Sequence, residues 1–559
     1  MTDWLAAKGA EVRSAGPILL RVAAGLIAAT CILPVVAVVF AALSGSLDTF
    51  RHLAETVLGR YTTTTIGLVV VVSGAAAVIG TATAWLVTMT QFAGRRILEV
   101  ALVVPFAFPA YVLAYAYTDI LDHPGIVQST LRSLMGWGPR DYWFPEIRSF
   151  GGAAMVLTLA LYPYVYLLAR AAFLNQSATP FDAARALGQR PWAAFLRVSL
   201  PMARPAIAAG ALLVAMETIA DFGAVAYFGV QTFATGIYTS WFSMADRAAA
   251  AQLSLGLLAF AFLLALLERA SRKRARYHLG RRPQPMPRHP LPPGLGLAAA
   301  AVCAAPVLLG AVLPTVALGF MAIGSGQSLI SPRYLAFVGN SVTLAGLGAA
   351  LTVAAALLLG TYNRVRPGRF SAGALYVGRL GYAVPGGVIA VGILVPFAAF
   401  DNALDAWMRA SFGISTGLLV TGSIAALLMA YMIRFLAAAI GAYEGGIAAI
   451  SPNMDATSRV LGSGVWGTVR RVHAPILTPS LLTAALIVFV DVMKELPATL
   501  IMRPFNFDTL AVQAYRLAAD ERLDGAAVPS LVIAAIGLGP VILLCRRLAR
   551  GTGIGRAPG

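Results

Sequence analysis

Apolar residues fall along this chain in blocks of about 20 or more, the length that carries a helix across a hydrocarbon core of about 30 Å. The blocks predict six spans over about 18–43, 62–90, 97–121, 151–174, 203–228 and 249–267. Six more are predicted over about 295–323, 340–362, 372–399, 414–440, 479–502 and 526–548. The alternating segments of about 10 residues that mark a membrane barrel are absent. Between the two sets runs "ERASRKRARYHLGRRPQPMPRHPLPPG", Glu268 to Gly294, too rich in Arg and Pro for a span or a packed core. The pattern therefore predicts an all-α polytopic membrane protein with a first six-helix repeat at 1–270, a basic cytoplasmic linker at 271–294 and a second repeat at 295–559.

Composition agrees with the pattern. Of 559 residues 59% are hydrophobic and 12% charged, with a mean hydropathy of +0.78, leaving too little charge for the surface of a soluble protein of this size. The formal charge of +18 would point to nucleic acid in a soluble chain, but here its distribution carries the information. With the N-terminus inside, roughly thirty of the 42 Lys and Arg fall on inner segments, among them Arg95-Arg96, the linker, Arg364/Arg366/Arg369 and Arg546-Arg547. Outer loops hold about eleven, interspersed with acids, and shifting the count by one helix would destroy the asymmetry. Both termini are expected in the cytoplasm, the partner is a lipid bilayer, and no nucleic acid is implied. Six spans per half is an even number, so the halves share one orientation and form a parallel repeat. The apolar run after Lys8, Arg13 and Arg21 is too long for a signal peptide and reads as a retained first helix. Cys31, Cys303 and Cys545 lie far apart in apolar blocks, without a CxxC or a Cys/His cluster, and read as small buried side chains.

One polar segment occurs twice, in the slot between the fourth and fifth spans of each half. "FDAARALGQRPWAAFLRVSLPMARP" starts at Phe181, and "DATSRVLGSGVWGTVRRVHAPILTP" at Asp455. Aligned on Leu187-Gly188 and Leu461-Gly462, they run without a gap through Pro201/Pro475 and Pro205/Pro479. Asp182-Ala183-Ala184 starts a short helical stretch that Gly188 can close with a left-handed cap. Trp192, Phe195, Leu196 and Val198 recur at helical spacing, and Pro201 is expected to break the helix before the next span. Two such elements at equivalent places suit the docking of two copies of one cytoplasmic partner.

The segment resembles the EAA motif of binding-protein-dependent ABC importer permeases: an acid-Ala-Ala triplet, Gly six residues after the acid, then Leu-Pro. Asp182, Ala183, Ala184, Gly188 and Leu200-Pro201 follow it with Asp for Glu. In the second copy Ala456-Thr457-Ser458 replaces the triplet, Asp455 stands one position early and Ala474 replaces Leu, while Gly462 and Pro475 hold. The resemblance implies the type I ABC importer permease fold, in which this segment is the coupling helix seated in a cleft of each of two ABC ATPase subunits. It also implies a periplasmic substrate-binding protein at the outer face and a place in the bacterial inner membrane. No G-x-x-x-x-G-K-[ST] loop occurs, and none of Lys8, Lys273 and Lys494 follows a glycine. ATP and Mg²⁺ are therefore expected on the partner ATPase, with no cofactor bound permanently here and no catalytic residue.

Each motif leads into a span with two acids four residues apart: Glu217 and Asp221, then Asp491 and Glu495. A rise of 1.5 Å per residue from Ala203 sets Glu217 roughly 20 Å from the inner surface. Charges at that depth usually face a pathway. The spacing places each pair on one helix face, and oxygen-rich clusters suit hard cations or polyamines. The stretches "ETIADFGAVAYFGVQTFATGIYTSWF" and "DVMKELPATLIMRPFNFDTLAVQAYRLAADERLDGAA" resemble the fused twelve-span ferric-iron transport permeases. That resemblance implies ferric ion as cargo, with only transient metal contact at the four carboxylates. Thiamine, polyamine or organophosphonate permeases share the architecture, and a secondary transporter can also hold twelve spans in parallel halves.

Overall fold

Backbone amides find no partner in hydrocarbon, so a chain this apolar must satisfy them within helices. The computed structural model describes residues 2–176, 178–273, 288–327 and 331–551; residues 274–287, most of the expected linker, lie outside them. Eleven helices among the described residues are long and apolar enough to span a membrane, and a pair bent by 95° makes a twelfth. They are α1 Ile18–Ser44, α2 Asp48–Met89, the bent α3 (Arg95–Ala107 and Ala110–Met135), α4 Phe150–Leu174, α5 Trp192–Ala220 and α6 Arg247–Leu267. Then follow α7 Pro293–Gly324, α8 Pro332–Val365, α9 Gly386–Phe412, α10 Ile424–Ile447, α11 Trp466–Met493 and α12 Leu523–Leu543. The expected all-α polytopic class holds. The strands among the described residues are Thr90–Gln91 and His289–Pro290, a parallel pair that ties the end of the linker to the end of α2. Cys31 and Cys303 are buried free thiols, as expected, while the side chain of Cys545 lies outside those described.

The boundaries depart from expectation where local chemistry overrides apolarity. The third span is bent rather than straight because Pro105 sits in a 3₁₀ turn, Val104–Ala107, and Pro109 starts a new helix at φ −61°, ψ 145°. In the second half a 3₁₀ turn at Gly381–Ala383 and Pro385 (φ −59°, ψ 147°) do the same before α9. The tenth span begins at Ile424 rather than 414. Gly413 ends α9 in the left-handed region, and two acids of α9 grip the connection. Asp401, fully buried, accepts from the Val420 and Thr421 amides, and Asp405 from those of Thr416 and Gly417.

Packing divides the chain into two compact units that cut across the halves of the sequence. One comprises 1–50, 240–258 and 332–509; the other comprises 51–239, 259–331 and 510–559. The first helix of the chain thus packs with α8 and α9, while α7 packs with residues of α3 and α4. Close backbone approach needs a missing side chain. Gly392 of α9 faces the Pro34 backbone of α1, and Gly310 of α7 faces Pro105 and the Leu159 carbonyl. A Cβ at Gly392 would overlap the Pro34 carbonyl, so Gly392→Ala is expected to cost about 1–3 kcal/mol by overpacking. Thermal unfolding in detergent should show a lowered midpoint for G392A and an unchanged one for Gly387→Ala, whose Cβ would meet open space.

Candidate functional site: two motif helices and the broken spans that follow

Both motif copies form the same sequence of elements, residue for residue. The first is a helix at Ala178–Ala186, a left-handed glycine at Gly188 (φ +82°) and a restart at Pro191. The second is a helix at Pro452–Val460, Gly462 at φ +80° and a restart at Val465. Around each glycine the cap closes the same way: Gln189 N donates to Ala184 O and Ser463 N to Ser458 O, at 3.1 and 3.0 Å. This is the 6→1 bond of a Schellman cap, which a residue with a Cβ forms only under strain. The left-handed cap expected at Gly188 is present, and Gly462 repeats it.

Two expectations need correction. The surface helix is shorter than expected, because Trp192, Phe195, Leu196 and Val198 belong to the first turns of α5. Nor does Pro201 break the helix. The turn before it widens to a π-turn at Phe195–Ser199, closed by Leu200 N to Phe195 O, and α5 continues through the proline. Val469–His473 and Pro475 repeat the device. A wider turn relieves the clash between a proline ring and the preceding carbonyls, so the span starts about three turns earlier than the apolar run shows.

The copies differ in how they are fastened. Asp182 is exposed, while the residue before it, Phe181, is buried against the His289 ring at 5.8 Å. In the aligned place of Phe181 stands Asp455, which accepts from Arg364 Nε and pairs with His473 Nε2, both at 2.7 Å. Burial would raise the Asp455 carboxyl, but hydrogen bonds from His473 and Arg364 outweigh it and hold it below its ordinary range. The acid that stood one position early is thus an inward anchor, and Ala456 takes the exposed place of Asp182. Sequence reasoning weighted the acids and passed over Leu187 and Leu461. These are 85% and 78% exposed at the tips of the two elements. The signal was present in the Leu-Gly pair used for the alignment.

The span before each motif makes an ion pair near its motif end. Arg170 of α4 bonds Glu99 of α3 at 2.6 Å, and Glu444 of α10 pairs with Arg379. The residue shift that aligns the motifs aligns Arg170 with Glu444, but it sets Gly373 at Glu99 and Pro105 at Arg379, so the two partners come from different positions.

The acids beyond the motifs do not sit as expected. Helix α5 ends at Ala220 and α11 at Met493, so Asp221 and Glu495 do not continue the faces of Glu217 and Asp491. Each instead caps a second short helix. Asp221 Oδ2 accepts from the Ala224 and Val225 amides of Gly223–Tyr227, at 3.1 Å each. Glu495 Oε1 accepts from Ala498 N at 2.9 Å and Arg434 Nη1 at 3.3 Å, and its Oε2 accepts from Thr499 N at 2.9 Å. These carboxylates replace the intrahelical partners lost at the break. Glu217 is half-buried in the last turn of α5, and Asp491 pairs with Lys494 at 3.0 Å. Among the described residues no three His, Cys, Asp or Glu side chains gather to hold a metal ion.

Residues 76–277 match the family described as the inner membrane component of a binding-protein-dependent transport system. Along 86% of its length, and 88% of the relative's, the chain is 27% identical to Fe(3+)-transport system permease protein FbpB 2 of Haemophilus influenzae. It is 24% identical to the putative ferric transport system permease protein FbpB 1 of the same organism, over 72% of this chain and 63% of that one. The molybdenum transport system permease protein ModB of Escherichia coli is 27% identical over 34% of this chain and 85% of its own.

The anchor of the second motif can be tested by hydrogen exchange. Asp455→Asn is expected to weaken protection of 452–460 by about 2 kcal/mol, on the order of 30-fold, and to leave 178–186 unchanged. Because the folded carboxyl lies below its ordinary value of 3.8, its contribution is complete above that value. It is lost as pH falls through the lower folded value, so protection of 452–460 in the parent chain should drop as the pH is taken below 3.8.

Proposed function

We propose that this ABC importer permease passes ferric ion handed over by a soluble binding protein and is driven by two ATPase subunits at its motif helices. The observation that carries the coupling half of this reading is the duplicated motif. Two nine-residue helices end in the same left-handed glycine cap, present an exposed leucine and run through a π-turn into a span. A rigid cap transmits force along the helix it ends, and a π-turn is a common place for a helix to bend. Asp182, Ala183, Ala184, Gly188 and Pro201 form one coupling element, and Asp455, Gly462 and Pro475 belong to the other. The ferric reading is supported by the FbpB relatives, which match across most of the chain.

The two halves act as parallel repeats fused in one chain, with both termini in the cytoplasm. In this reading Glu217 and Asp491 offer the passing ion transient oxygen contacts, which suit a hard cation. Asp221 and Glu495 hold the turns that place those spans. Docking and closure of the ATPases would switch the helices between two packings.

Uptake into proteoliposomes holding the chain, its ATPase and its binding protein tests the reading. Iron uptake should require ATP, be competed by gallium(III), and be untouched by thiamine or putrescine. Glu217→Gln and Asp491→Asn should each lower it several-fold with ATPase docking intact. Transport by the chain alone under an ion gradient would overturn the coupling half. Competition by an organic cation and not by gallium(III) would overturn the ferric half.

A further inference from the structure

A groove of about 770 Å³ lies between α2 and α5, within one compact unit. Its motif end is aromatic: Trp85 meets Trp192 edge-on with ring centroids 5.8 Å apart, and Phe195 at 4.5 Å. Farther along, Thr81 and the exposed Arg204 line it, and the opposite end is aliphatic, with Val78, Ile207 and Ala208. Two buried donors at its wall, Trp85 Nε1 and Thr81 Oγ1, have no hydrogen-bond partner among the described residues, and Thr81 is only 8% exposed. Donors buried in a membrane protein without an acceptor are costly and mark where an acceptor from outside the chain is wanted. The lining holds one cation and no acid.

These features ask for an occupant that is an anionic acceptor at one end and aliphatic at the other. We propose that the groove binds one anionic glycerophospholipid of the leaflet on the motif side. Its phosphate faces Arg204, Trp85 and Thr81, and an acyl chain lies along Val78, Ile207 and Ala208. Tryptophan and arginine both favour the headgroup level of a bilayer, the arginine by reaching along its aliphatic stem. The second half does not repeat these residues. The residue shift that pairs the motifs, and also Gly94 with Gly368, places Thr478 at Arg204, Leu359 at Trp85 and Ala355 at Thr81. Trp192 and Phe195 open α5 just after the first motif helix, so the lipid braces the start of that span. The binding itself is independent of the cargo.

The test uses the full-length chain in phosphatidylcholine nanodiscs that contain an equal share of brominated phosphatidylglycerol or brominated phosphatidylcholine. Tryptophan quenching should favour the glycerol lipid. Arg204→Gln should cut that preference about fivefold, the effect of one arginine at an anionic surface. Thr81→Val, which keeps every tryptophan and loses the hydroxyl, should cut it too, and Thr478→Ala should not. Equal quenching by both lipids would mean bulk annular lipid and overturn the proposal, as would an unchanged preference in R204Q. Should R204Q fail to fold, native mass spectrometry of the parent chain decides: one phosphatidylglycerol retained after delipidation supports the site, and none overturns it.

Discussion

In a lipid interior every backbone amide needs a partner from the chain itself, and a helix can stop there only where side chains supply one. Asp221 and Glu495 meet that requirement after α5 and α11, each carboxylate accepting from two amides of the next short helix. The same requirement explains the π-turns ahead of Pro201 and Pro475 and the restarts after Pro109 and Pro385. With these features in place, each span that follows a motif helix carries a π-turn in its first turns and ends at a carboxylate-capped break.

The two motif helices share a backbone and differ in fastening. The first is held by an aromatic contact between Phe181 and His289, the second by the Asp455 carboxylate between Arg364 and His473. An apolar contact is non-directional and tolerates sliding, whereas a charge-assisted hydrogen-bond pair fixes geometry. The first helix also touches the chain segment returning from the linker, which is paired to the end of α2. Two similar partner subunits would thus meet elements of similar shape and unequal stiffness.

The sequence made the spans legible in number and order, because a run of about 20 apolar residues has few other uses. It also made both motif copies legible, down to the cap at Gly188, since the left-handed turn demands glycine. Features that depend on compensation stayed hidden. The π-turns follow from a proline's missing amide but have no residue code of their own. The loop before Ile424 is drawn in by Asp401 and Asp405, a long-range effect that apolarity does not record. The acid pairs were read as helix faces, although "DFGA" and "ELPA" carry the pattern of an acidic cap before a short helix. The interleaving of the halves rests on single glycines such as Gly392, whose partner Pro34 lies far away in the chain.

The central claim is that both glycine-capped motif helices receive an ATPase subunit. Single cysteines at Leu187 and Leu461, the exposed tips, allow it to be measured directly by crosslinking to the purified ATPase with short bifunctional reagents. Adducts should form from both positions, with yields that change between nucleotide-free and ATP-bound states, and none should form from a cysteine at exposed Trp143. Adducts from only one tip, or from neither, would contradict the account.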